Sequence, residues 1–359
     1  MAKGTTFCNY SPIKGPADMP EHACPVRIDD MSPASGKSRK CRLFQRVLVC
    51  LDRSPNSQRV LEKAVELAKL LEAPLTAVRM SSEPGNDFRA VDPVDWELAK
   101  RDELERLREL AVSANAPGDI HLEILTWPEI LTVCRKADAQ ERALTVIGAG
   151  EHKEKGSQRF GGTSRDLIDS LPGSVFIVPA PLAGGRGNGP ERRVLAPLDG
   201  SSEAEAALRI AAQFASKRDA ELVLIHAIEE VAAPASGQAR REEKALCERL
   251  MSHRERVAQN MLERVRRLIP GNGVRSRVLR ARNPRQALAQ SILEEQGELV
   301  VLSARGMGGD PELSVGSTAD YLISHATTPV LLVRTKAGEL PQRSAEAPPR
   351  RPGTVHDGT

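Results

Sequence analysis

The chain has 359 residues, of which 40% are hydrophobic and 28% charged, the balance of a water-soluble globular protein with room for two ordinary domains. A net charge of +3 and an aromatic content of 3% give no overall pull towards nucleic acid, and no apolar run reaches the roughly 18 residues of a membrane span. The first ten residues lack the apolar core of a secretory signal, and six scattered cysteines without a C-x-x-C pair suit a reducing compartment, so a cytoplasmic protein is expected.

Residues 1–41 carry Pro, Gly and Ser without apolar periodicity and read as a disordered arm. His22, Cys24 and Cys8 lie in it, but such surroundings favour a plain arm over a metal site. Arg46–Leu51 is a buried-strand run. A helix follows, with Val60, Leu61, Ala64, Val65, Ala68 and Leu71 on one face. Pro74–Met80 reads as a strand, and Trp96–Ala114 as an amphipathic helix with Leu104, Leu107, Leu110 and Ala111 inward. His121–Thr126 alternates like a strand, and Leu144–Ile147 and Val175–Val178 are short apolar strands.

The series then starts again. Arg46-Val-Leu-Val-Cys-Leu-Asp52-Arg-Ser54 returns as Arg193-Val-Leu-Ala-Pro-Leu-Asp199-Gly-Ser201, 147 residues on. Ala64, Ala68 and Leu75 meet Ala211, Ala215 and Leu222 at the same offset. Further along, Gly148 meets Ser303, Gly161 meets Gly316 and Val175–Val178 meets Val330–Val333, now at an offset of 155. Two constant offsets over so many positions mark a tandem duplication, with a longer middle segment in the second copy. That copy has its long helix inside Arg241–Leu268. The Gly- and Pro-rich residues 181–190 read as a linker between copies at 42–180 and 191–335, and residues 336–359 as a disordered tail. Alternating strands and helices with short apolar strands predict α/β architecture, with two tandem open parallel five-stranded sheets covered on both faces. The fifth strands are expected at sheet edges, and pairing them would pack the copies as an internal pseudo-dimer.

Between the strand Leu299–Leu302 and the helix-like Ala319–His325 lies Ser303-Ala-Arg-Gly306-Met-Gly308-Gly309, continuing to Gly316-Ser317-Thr318. A strand, a glycine-rich turn and a helix start make a plausible anion cradle, because the turn exposes backbone N–H groups and the helix N-terminus adds unpaired donors and its dipole. With the duplicated first strand, these residues resemble the universal stress protein family, as a tandem two-domain member, over nearly everything except arms and linker. The family's nucleotide-binding members carry G-x-x-G, nine residues, then G-[ST]. Gly306, nine residues and Gly316-Ser317 match this pattern, with Ser303 in place of the first glycine. The closing His325-Ala-x-x-Pro-Val-Leu-Leu-Val-Arg334 is also typical.

The resemblance implies a Rossmann-like, adenine-nucleotide α-hydrolase-like fold and ATP, with or without Mg2+, as ligand of the second copy. It assigns Asp199 to the adenosine and the backbone near Ala227, after the second strand, to the base. Backbone donors around Gly306 and Gly316, with the Ser317 and Thr318 hydroxyls, would hold the phosphates beside Ser303 at the strand end, and Arg305, where relatives often carry histidine, reads either as a solvated turn residue or as a charged fork on a phosphate. In the first copy Glu151 replaces the second glycine. A carboxylate about 4 Å from a phosphate costs roughly 4 kcal/mol at an effective dielectric near 20. That is about a thousandfold in affinity, so one nucleotide per chain is expected.

Two other readings compete with a regulatory ATP-binding protein. One is an interaction module of the same fold, assembling with itself or with protein partners without nucleotide. The other, an adenylating enzyme, lacks the S-G-G-x-D-S after the first strand that such enzymes carry. No residues suggest a catalytic triad, so at most slow ATP hydrolysis is expected. The arginines between Arg264 and Arg285 read as a solvated surface rather than a nucleic-acid site, and no membrane partner is indicated. Trp96 and Trp127 read as packing residues.

Overall fold

The computed structural model describes residues 43–80, 93–149, 162–180, 192–231, 240–270, 273–308 and 313–335. The expected N-terminal arm, linker and C-terminal tail lie outside these residues. So do Glu151 and Gly161 of the first-copy turn.

In chain order the elements of the first half are β1 (Arg46–Leu51), α1 (Ser57–Leu71), β2 (Leu75–Met80), α2 (Pro93–Ser113), β3 (His121–Leu125), α3 (Trp127–Glu141), β4 (Ala143–Gly148), α4 (Gly162–Ser170) and β5 (Val175–Val178). The second half runs β6 (Arg193–Pro197), α5 (Ser202–Arg218), β7 (Glu221–Glu229), α6 (Arg240–Arg267), β8 (Val274–Ala281), α7 (Pro284–Glu295), β9 (Leu299–Ser303), α8 (Ser317–His325) and β10 (Val330–Val333). The strands form one ten-stranded sheet in the order β3-β2-β1-β4-β5-β10-β9-β6-β7-β8. Each half contributes five parallel strands, and the halves meet where β5 and β10 pair antiparallel, Leu331 opposite Phe176. The two expected five-stranded sheets are therefore fused through their fifth strands, which places those apolar strands at the middle of the assembly.

Alternation along each central strand divides the core into two layers. Val47, Val49 and Leu51 of β1 face α1 and α2, as Val194 and Ala196 of β6 face α5 and α6. Leu48 of β1 and Leu195 of β6 point the other way, into a layer built from α3, α4, α7 and α8. The six α1 residues assigned to its apolar face are all buried. In α2, Leu107 and Ala111 are buried, while Leu104 and Leu110 pack half-buried against the same layer.

Helices α3 and α7 were not picked out from apolar periodicity, though both start on sequence signals. The Thr126 backbone N–H donates to the Glu129 carboxylate at 2.8 Å, and Asn283 accepts from the Gln286 N–H ahead of Pro284 at the helix start. Thr126 is thus a helix cap and not the last residue of β3. Trp127 packs half-buried against the core layer of α3, in keeping with a packing role, and the side chain of Trp96 lies outside the described set. No helix among the described residues is long and apolar enough to cross a membrane.

The seam carries specific contacts between the halves. Arg334, just after β10, donates to the carbonyl oxygens of Gly173 and Ile168 in the first half, and burial pulls its pKa down to about 10. Arg165 of α4 pairs with Asp320 of α8, and these two positions are equivalents at the 155-residue offset. A pseudo-twofold axis brings equivalent positions together, and divergence after duplication has made them opposite in charge. Asp320→Arg places two arginines face to face and removes an acid from the first turn of α8. Because Arg165 and Asp320 are about two-fifths exposed, the expected loss is only about 1 kcal/mol, read as a lower urea midpoint at unchanged slope.

Candidate functional site

The carboxyl ends of β6 and β9 open on a cavity of about 290 Å³. In a parallel sheet this end, flanking the point where strand order reverses, is where ligands settle. All eight residues singled out in the second copy line it: Asp199, Ala227, Ser303, Arg305, Gly306, Gly316, Ser317 and Thr318.

Asp199 follows β6. One of its carboxylate oxygens accepts from the Ser201 N–H at 2.9 Å and the Ser201 hydroxyl at 2.6 Å, while Ser201 caps α5 by accepting from the Ala204 N–H. The first half builds the same local turn, with Asp52 accepting from the N–H and hydroxyl of Ser54. This much of the Asp-x-Ser pattern is helix-start chemistry common to both copies. The second oxygen of Asp199 reaches further. It accepts from the Met307 N–H at 2.7 Å, reaching 108 residues along the chain into the glycine turn. A Cβ on Gly306 would lie 2.1 Å from that oxygen, so the turn can sit on the carboxylate only because residue 306 has no side chain.

Two expected roles change in detail. The Gly316 N–H, assigned to a phosphate, donates instead to the Ala304 carbonyl at 2.7 Å, closing the turn on itself. The Met307 N–H is likewise engaged, so among the described residues free donors concentrate at the start of α8. There Gly316, as N-cap, offers no side chain to satisfy the first-turn N–H groups. Ala227 is not beyond the second strand but within β7, because β7 pairs with β8 from Leu222 to Glu229 and the strand extends past the expected end.

Several lining residues went unremarked as site residues in the sequence. His226, on β7, donates from Nδ1 to the Leu198 carbonyl at 2.6 Å, which orients the ring at the cavity wall. Pro197, Pro284, Leu288 and Met307 supply apolar wall. Arg285, at the start of α7, donates to the Ser317 hydroxyl at 2.8 Å and so places a second guanidinium near the start of α8. Its neighbours in the arginine-rich region are mostly committed elsewhere. Arg264 pairs with Glu205, Arg275 and Arg277 with Glu295, and Arg280 with Glu255. On the outer strand β8, Arg275, Arg277 and Arg280 also protect an open sheet edge from pairing with another chain.

The corresponding turn of the first half lies beyond the described residues after Ala149, so the expected effect of Glu151 has no structural counterpart here. Its base is described. Gly148 ends β4, its carbonyl accepts from the Ser164 hydroxyl of α4, and a Cβ there would meet Val60 at 2.9 Å. Among the described residues no group of three or more His, Cys, Asp or Glu side chains could hold a metal ion.

Residues 43–179 and 191–334 both match the family model of the universal stress protein family. A universal stress protein of Mycobacterium tuberculosis is 27% identical over 311 residues, covering 80% of this chain and 96% of the relative. One from Mycolicibacterium smegmatis is 29% identical over 306 residues, covering 81% and 97%. Among solved structures, a universal stress protein from Archaeoglobus fulgidus aligns with 83% of this chain and all of its own, with a TM-score of 0.51 at 19% identity, a likeness of fold.

Proposed function

The chain belongs to the universal stress protein family, and from that premise we propose that its second half binds one adenine nucleotide, ATP, as a regulatory ligand. The observation that carries this reading is the fit of Gly306 over Asp199, which draws the glycine turn down beside the β6 end and leaves the start of α8 facing the cavity. A lining that mixes backbone and carboxylate with the apolar Pro197, Leu288 and Met307 suits a nucleoside. The cavity volume is at the low end of the roughly 300–1,000 Å³ typical of small-molecule sites. It therefore takes the nucleoside, with the phosphates at the rim.

In this reading Asp199 contributes its remaining acceptor capacity, since a carboxylate has about four lone-pair positions and three internal donors are already placed on it. Ser317 and Thr318 offer hydroxyls and helix-start N–H groups to the phosphates, with Arg305 and Arg285 adding positive charge. Ser303 and Ala227 shape the wall. Mg2+, where present, would neutralise phosphate charge. The division into domains at 42–180 and 191–335, joined by 181–190, and the assignment of no nucleotide to the first, belong to the same proposal.

One observation favours a second reading. The Asp199–Met307 and Gly316–Ala304 hydrogen bonds make the turn self-sufficient, as an interaction module without ligand would need. Mass spectrometry of nucleotide released from the purified protein, with calorimetric ATP titration, separates the two. One equivalent of ATP per chain is expected. No released nucleotide and no saturable binding at millimolar ATP would leave the interaction module standing.

A further inference from the structure

The first half places two cysteines together. Cys50 on β1 and Cys134 on α3, 84 residues apart in sequence, bring their sulfurs to 3.9 Å. Both sit in the core layer beneath α3. By strand register Cys50 lies between Val78 of β2 and Ile147 of β4, and Trp127 packs on the same layer. Their access differs. Cys134 is only 1% exposed, whereas Cys50 is half-buried at the end of its strand. The hydrogen bond with Cys134, followed by burial, pushes the Cys50 thiol well above its ordinary range, so Cys50 rests protonated.

Their positions within the repeat are informative. Cys50 is the equivalent of Pro197 at the 147-residue offset, and Cys134 stands as far ahead of the C-cap Arg142 as Leu288 stands ahead of the C-cap Gln296. Pro197 and Leu288 line the cavity of the second half. At the equivalent positions of the first half, then, two apolar residues are replaced by a pair of thiols.

We propose that Cys50 and Cys134 form an oxidisable dithiol, a modification site in the first half that hydroperoxides convert reversibly to a disulfide. The more accessible Cys50 reacts first. Its sulfur attacks one peroxide oxygen, the O–O bond breaks, and hydroxide leaves with the thiol proton as water, giving the sulfenic acid. The Cys134 sulfur then attacks the Cys50 sulfur. The S–S bond forms, the S–O bond breaks, and a second water carries off the hydroxyl and the Cys134 proton. Two thiols lose two electrons and one hydrogen peroxide becomes two waters. Closing the sulfurs from 3.9 Å to about 2 Å is a side-chain-scale movement. The bond ties β1 to α3 across a long loop and restrains the unfolded chain. This inference stands apart from nucleotide binding in the second half.

The test is a peptide map of the full chain, alkylated after hydrogen peroxide treatment and digested with trypsin. Peptides 47–53 and 109–135 are expected as one linked species, two hydrogens lighter than their sum and released by dithiothreitol. The thermal midpoint should rise on oxidation of the wild type and not of Cys134→Ser. In Cys134→Ser, Cys50 should accumulate as a dimedone-trapped sulfenic acid, while in Cys50→Ser the buried Cys134 should resist. The proposal is overturned if the linked species is absent at a peroxide dose that oxidises Cys247, or if Cys134 in Cys50→Ser reacts as fast as Cys50 in Cys134→Ser. The wild-type map decides the matter even if either variant folds poorly.

Discussion

Gly306→Ala should weaken ATP binding by roughly 10- to 100-fold, while Gly308→Ala, two residues along the same turn, should bind as wild type. The difference follows from what each new methyl group would meet. At Gly306 it would fall 2.1 Å from the Asp199 carboxylate, whereas at Gly308 no atom of the described residues lies within 4 Å. A contact so short cannot persist, so either the carboxylate swings away or the turn lifts. Both outcomes break the 2.7 Å Met307–Asp199 bond. A hydrogen bond to a charged group is worth about 1.5–3 kcal/mol, which converts to the stated loss at about 1.4 kcal/mol per tenfold. Stability should fall less than affinity, because Met307 and Gly308 are exposed and the turn can move outward without opening the core. Calorimetric titration of both variants beside their urea midpoints measures the two effects. Equal ATP affinity in Gly306→Ala and Gly308→Ala would remove the turn-on-carboxylate fit from the account of the site.

How much of this was legible beforehand depends on whether the cause is local. The strands of a parallel sheet are covered on both faces and read as unbroken apolar runs, so β1, β5, β6 and β10 could be placed from composition alone. The pairing of the fifth strands, though not its antiparallel sense, was legible for a related reason, since Val330–Val333 and Val175–Val178 are too apolar to be left at an open edge. Helices α3 and α7 have weaker apolar faces, and their Thr-x-x-Glu and Asn-Pro starts were the better signal. The site residues converged as expected on one cavity, yet their bonding partners did not follow from the motif. Asp52-Arg-Ser54 and Asp199-Gly-Ser201 look alike in sequence. Only the fold brings Met307 to the second oxygen of Asp199. The same holds for Arg285, one of eight arginines in a basic stretch. Its position at the start of α7 aims it at Ser317, whereas Arg275 and Arg277 on β8 meet Glu295.

Glu103→Leu should destabilise the protein by about 3–5 kcal/mol, more than Glu295→Leu, although Glu295 touches as many arginines. Glu103 of α2 is buried and donor-bonded by Arg79 of β2 at 2.6 Å, and the Arg79 side chain is itself only 9% exposed. Arg79 Nε has no hydrogen-bond partner among the described residues, so removing Glu103 strands a buried guanidinium. The partners of Glu295 are better placed to survive. Arg275 and Arg277 are about two-fifths exposed and can return to water, and Arg193 and Arg275 both keep Glu221. The pH dependence has a definite sign. Burial alone would raise the pKa of Glu103, but the Arg79 hydrogen bond and the charges of Arg53, Arg79 and Arg106 more than reverse it, leaving it below the ordinary 4.5. A group depressed on folding contributes stability in full above its unfolded pKa and loses it as pH falls through the folded one. The gap between wild type and Glu103→Gln should therefore be widest near neutrality and narrow below pH 4.5, as urea unfolding across that range would measure. A gap that stays constant down to the acid limit would mean that the carboxylate charge contributes nothing beyond packing at the junction of α2 and β2.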